Sequence, residues 1–112
     1  SDGHPDKLSI LDKLVERCLF CLVHSKDDNV QRVEHWRGLL TLAQEMGVAF
    51  VRHFYWLFKT IDILLPSLTH PEARELSALI TYIQEFRGYA ERVELRRTQI
   101  DAINERINQL DW

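Results

Sequence analysis

The chain has 112 residues, of which 46% are apolar and 28% charged, with a formal net charge of −3. That length holds one domain rather than two, and the apolar fraction excludes a disordered segment. The acidic balance supplies no basic excess for phosphate contacts or for an anionic membrane surface, so nucleic acid and membrane are both disfavoured as partners.

Four glycines and three prolines leave few obligatory breaks, which favours a few long helices over many short strands. The first helix is expected from near Pro5 to about His24. Proline suits a first helical turn, and Asp6 suits the positive end of the helix dipole. Leu8, Leu11, Val15, Cys18 and Leu22 recur at spacings of three and four, and Ile10, Leu14 and Cys21 widen that stripe. The closing run Cys18–Val23 is apolar all round, which calls for cover on several sides.

Residues 25–29 read as a loop in which Asp28 or Asn29 caps the second helix. That helix extends to about Met46, with Val33, Trp36, Leu40 and Ala43 on its apolar face. Gly47 is a natural left-handed stop. The third helix is expected over Val48 to Leu65, separate from the second, with Phe50, Phe54, Leu57, Phe58, Ile61 and Leu65 inward. Its charged residues Arg52, His53, Lys59 and Asp62 exclude a membrane span.

After Pro66, Thr69 with Glu72 forms a capping box, and Pro71 lies in the first turn. From there only Gly88 interrupts a helical pattern. The expectation is one last helix of nearly forty residues, ~60 Å long at 1.5 Å per residue. Its first part, Leu76 to Val93, would close the core. Ile100, Ile103, Ile107 and Leu110 then continue as a strip with no visible partner inside the chain. The fold expected is all-α: a four-helix bundle-like single domain over 1–112. Its core spans about 5–93, and residues 94–112 extend as a coiled-coil-like rod.

Three patterns could carry chemistry. Cys18, Cys21 and His24 are the nearest approach to a metal site, yet a second half-site is missing, and zinc wants about four ligands. Small core residues are the simpler reading of both cysteines. Residues 39–58 resemble the corner of a helix-turn-helix around Gly47, but the would-be recognition helix offers aromatics instead of base readers, Arg52 excepted. Trp56 falls on the outer face of the third helix beside Arg52, Lys59 and Ile63, where it can serve as an interface anchor.

No phosphate-binding loop, serine elbow or di-iron pattern is present, and no cofactor is implied. The alternating acids and arginines of residues 91–106 read as a solvated face in which Arg97 meets Glu94 and Asp101. The function expected is a non-enzymatic helical interaction or dimerisation domain, regulatory or sensory in kind. It would act as a homodimer or on a helical protein partner, through Trp56, Ile63, Arg97, Ile100, Ile103, Ile107 and Leu110. The rod would pass changes of register to a domain following Trp112. The alternatives are a DNA-binding regulator using residues 39–58, and a small-ligand or metal binder with its cavity among helices one and three. Polar first residues without a leader pattern and two closely spaced cysteines point to the cytoplasm.

Overall fold

The computed structural model describes residues 6–25 and 29–110. These are almost entirely helical, with no strand among them: α1 (Lys7–His24), α2 (Asn29–Met46), α3 (Phe54–Leu64), α4 (His70–Glu85), α5 (Ala90–Leu95) and α6 (Arg97–Gln109). Short 3-10 segments join α2 to α3, follow α3 and precede α5. None of the described helices is long and apolar enough to cross a membrane. The expected start at Pro5 and the expected cap at Asp28 lie outside the described residues.

Local chemistry sets the helix starts. The Asp6 carboxylate accepts from the Ser9 amide at 2.7 Å, capping α1. At α4 the box forms as expected: the Glu72 amide donates to the Thr69 hydroxyl at 3.4 Å, and the Thr69 amide donates to Glu72 Oε2 at 3.1 Å. Glu72 does more than cap. Its side chain is fully buried, and its Oε2 also takes an ion pair from Arg32 at 2.7 Å. Its Oε1 accepts from the Trp36 indole at 3.0 Å. A carboxylate can leave water at this site because charged and neutral donors replace the lost hydration. The same network ties the start of α4 to the first half of α2.

Gly47 adopts φ +57°, the left-handed conformation that stops α2. The chain then winds as a 3-10 helix over Gly47–His53 before α3 begins, so the α-helix expected from Val48 starts six residues later. Tyr89 explains the tight winding. Its ring is buried against Phe54 at 5.0 Å, and its hydroxyl donates to the Gly47 carbonyl at 2.7 Å. That bond pins the turn after α2 to the segment that precedes α5. Burial pushes the Tyr89 hydroxyl's pKa well up, so it stays a donor.

The long last helix is a correction. Residues expected to form one rod divide into α4, α5 and α6, broken at Phe86–Tyr89 and again at Arg96. Phe86 is extended, with ψ 118°, and Arg96 leaves helical geometry at φ −113° and ψ 21°. A straight forty-residue helix would span ~60 Å, whereas the molecule's long axis is 50 Å. The breaks let α6 return along α4 and α3. Gln99 donates to the Phe58 carbonyl at 3.3 Å and to Asp62 at 2.8 Å, and Arg106 donates to the Leu65 carbonyl at 3.2 Å. Ile100, Ile103 and Ile107 are consequently buried in the chain's own core, and Leu110 packs against its edge. The 94–109 segment belongs to the core and does not extend from it.

Candidate functional site

With the isoleucine strip inside, the exposed apolar surface concentrates elsewhere. α1 and α2 are antiparallel, as the ion pair from Lys7 to Glu45 at 3.4 Å and the approach of Cys18 to Gly38 show. The chain turns at Gly47, so α3 runs beside α1 in the same sense. Between α1 and α3 lies a cleft of about 560 Å³. Asp12, Glu16, Leu19, Phe20, Val23 and His24 line it from α1, and Arg52, His53, Trp56 and Thr60 from the other side.

The helical repeat explains how one wall comes to be aromatic. Leu19 and Leu22 turn inward, which leaves Phe20 at 58% exposure on the cleft side. Its ring leans on His24, one turn later, with centroids 4.1 Å apart. The end of α1, expected to be covered all round, is therefore open here. Across the cleft Trp56 is 63% exposed, because Phe54, Leu57, Phe58 and Ile61 claim the inner face of α3. Tyr55 meets the Trp56 ring edge-on at 4.9 Å, and Lys59 lies over the Tyr55 ring at 5.6 Å. Ile63, two turns beyond Trp56, is 60% exposed.

The end of the cleft near the start of α1 is polar. Asp12 receives Arg52 at 2.9 Å on Oδ2 and His53 Nε2 at 2.7 Å on Oδ1. His53 is 6% exposed. An ionised carboxylate only accepts, so the Nε2 proton of His53 points at Asp12. Burial works to raise the Asp12 carboxyl, but the hydrogen bond from His53 and the Arg52 charge outweigh it, and the pKa lies below its usual 3.8. The clasp joins α1 to the segment that enters α3 and holds the two walls at a fixed spacing. Thr60 is buried at the opposite end.

The sequence-derived candidates divide sharply. Trp56 and Ile63 stand together on the outer face of α3. Arg97 is half-exposed and pairs with Glu94 at 3.2 Å and Asp101 at 4.0 Å, the contacts its spacing implied. Ile100, Ile103 and Ile107 are withdrawn from any surface. Cys18 and Cys21 are free thiols packed partly into the core. Burial, with Cys21 nearby, pushes the Cys18 thiol up, away from the thiolate a metal would need. Among the described residues no group of three His, Cys, Asp or Glu side chains stands where a metal ion could be held. Arg52, the one base reader of the helix-turn-helix alternative, is engaged by Asp12.

Sequence reasoning missed Asp12, Glu16, Phe20 and Thr60 as partners of Trp56. The available signal was the all-round apolar end of α1, since a helix that apolar either lies inside a protein or meets another one. No protein-family model matches this chain, and no curated protein or solved structure matches it either.

Proposed function

We propose that this is a non-enzymatic protein-interaction module whose working surface is the groove between α1 and α3. The observation that carries the reading is the pair Phe20 and Trp56, two large aromatic side chains more than half exposed on facing walls. Leaving such side chains in water forfeits ~1.5–3 kcal/mol each relative to burying them, and Trp is the residue most enriched at interface hot spots. The Asp12 clasp favours the same reading, because a pre-set spacing between walls lowers the cost of ordering on binding.

The groove suits a helix better than a small molecule. Drug-sized ligands are typically ~70–90% enclosed by their pockets, whereas both aromatic walls here stand largely in solvent. Residues 12–24 of α1 offer ~18 Å of groove at 1.5 Å per residue, the length of about three helical turns. An amphipathic helix laid there would set apolar side chains between Phe20 and Trp56.

A photo-crosslinking residue replacing Phe20 tests the reading in cells. It is expected to give discrete protein adducts that the same group at the exposed position Ala102 on α6 does not. Trp56→Ala should abolish those adducts while leaving the thermal unfolding of the protein nearly unchanged. Equal labelling from positions 20 and 102 would remove the groove as an interaction surface.

A further inference from the structure

We infer that α6 is an exchangeable arm: the chain straightens at Arg96, and its α6 docks on a second copy in place of that copy's own. This leaves the α1–α3 groove untouched and stands apart from the reading above. The occupant is given by the fold, since α6 already fills in its own chain the site it would fill in the partner. Ile100, Ile103 and Ile107 are buried there. Gln99 reaches the Phe58 carbonyl and Asp62 on α3, Arg106 reaches the Leu65 carbonyl, and Asn104 donates to Gln84 of α4 at 3.3 Å. Exchange of an identical element keeps all these contacts and changes only which chain supplies them. What separates the two arrangements is the backbone at one residue.

α5 ends at Leu95 and α6 starts at Arg97, yet the sequence across the hinge is that of a continuous helix. Positions 89, 93, 96, 100, 103, 107 and 110 alternate at spacings of four and three, and all but Arg96 carry an apolar or aromatic side chain. No glycine or proline lies between Gly88 and the end of α6. No side chain caps the start of α6, and a straightened α5–α6 would give its first amides the carbonyls of α5 as partners. Local preference therefore favours the straight form, while docking of α6 on its own chain favours the bend. Arg96 holds the bend through its side chain. Its guanidinium lies over the Phe58 ring at 4.8 Å and donates to Gln99 at 3.2 Å. Leu95, immediately before the hinge, is 81% exposed, more than any other large apolar side chain among the described residues. In an exchanged pair the two hinges pass each other at the two-fold axis, and each Leu95 gains cover from the other chain.

Crosslinking between full-length chains tests the exchange, in a Cys18→Ala, Cys21→Ala background. Asp62→Cys on one chain and Gln99→Cys on another place single thiols where the native side chains lie 2.8 Å apart. The two chains are refolded together at about 1 mM, where mass action favours association, and treated with a short thiol-to-thiol crosslinker. They should give a heterodimer linked from 62 to 99, because only exchange brings position 99 of one chain to position 62 of the other. Both substitutions on one chain should link internally at high dilution, which shows that α6 still docks. That internal link without any link between chains would overturn the inference. Hinge variants with the native cysteines give a second measurement that does not depend on the engineered thiols. Arg96→Ala and Arg96→Gly both lose the contacts with Phe58 and Gln99, and they differ in helical preference by about fivefold per hinge, hence about 25-fold for a dimer with two hinges. Sedimentation equilibrium should find Arg96→Ala dimerising more strongly than Arg96→Gly by about that factor. Equal dimerisation of the two, or monomers throughout, would overturn the exchange as well.

Discussion

Asp12 shows how a single carboxylate can hold a surface in shape. It bridges Arg52 and His53, residues some forty positions away in sequence, and so fixes the distance between α1 and the entry to α3. Its carboxyl pKa is held below 3.8 in the folded protein. A group with a depressed folded pKa contributes stability above its unfolded pKa and loses that contribution as pH falls through the folded value. Asp12→Asn should therefore melt at a lower temperature than the wild type at pH 7. The gap should narrow as the pH falls from about 3.8 through the lower folded-state pKa, below which the wild-type carboxylate is protonated too. A gap that stays constant through that acid range would mean that Asp12 contributes by packing and not by charge. At this scale the sequence was legible only where partners are neighbours. The Thr69–Glu72 box and the Arg97 pairs lie within four residues and could be read directly. Asp12 with His53, and Arg32 with Glu72, join residues whose proximity exists only once the helices have packed, and no local pattern announces them.

Among the elements, the break at Phe86–Tyr89 decides the architecture, and Gly88 makes it possible. A Cβ built on Gly88 would lie 2.5 Å from Cε1 and 3.1 Å from Cδ1 of Phe86. The Phe86 ring is wedged between Tyr82 at 5.5 Å and Tyr89 at 4.5 Å, so it has little room to yield. Gly88→Ala is expected to destabilise the fold by about 1–3 kcal/mol through this overpacking. Urea unfolding would report it as a lowered midpoint with an unchanged slope. On helix propensity alone the same substitution is favourable by ~1 kcal/mol, so a stabilised variant would show that the break is not held by Phe86. That opposition also explains why the break was hidden. A lone glycine in a three-four apolar pattern costs a helix only ~1 kcal/mol, and the periodicity continues through it. The preference for breaking comes from Tyr89 reaching Gly47 and from the isoleucines of α6 reaching the core, both long-range effects. The break after Arg96 has no signal in sequence: Arg96 and Arg97 are ordinary helix formers, and the fold overrides them.

For the whole molecule, folding α6 back exchanges one apolar surface for another. A straight rod would have exposed Ile100, Ile103 and Ile107 and invited pairing along its length. In the folded chain those side chains are 0%, 0% and 3% exposed, while Phe20, Trp56 and Ile63 are among the large apolar side chains that stand in solvent. The two arrangements respond differently to the same substitution. Were Ile103 a rod residue at a dimer seam, Ile103→Ala would weaken association and leave the monomer's own core intact. Since Ile103 is enclosed among the residues of α4 and α6, the substitution should open a cavity and lower the chain's stability by about 2–5 kcal/mol. The discriminating measurement is urea unfolding at two protein concentrations a hundredfold apart, in a Trp56→Ala background that removes the proposed groove contact. A core residue gives the same loss at both concentrations. A seam residue gives a loss that appears only at the higher one, because mass action couples stability to concentration only through the associated state.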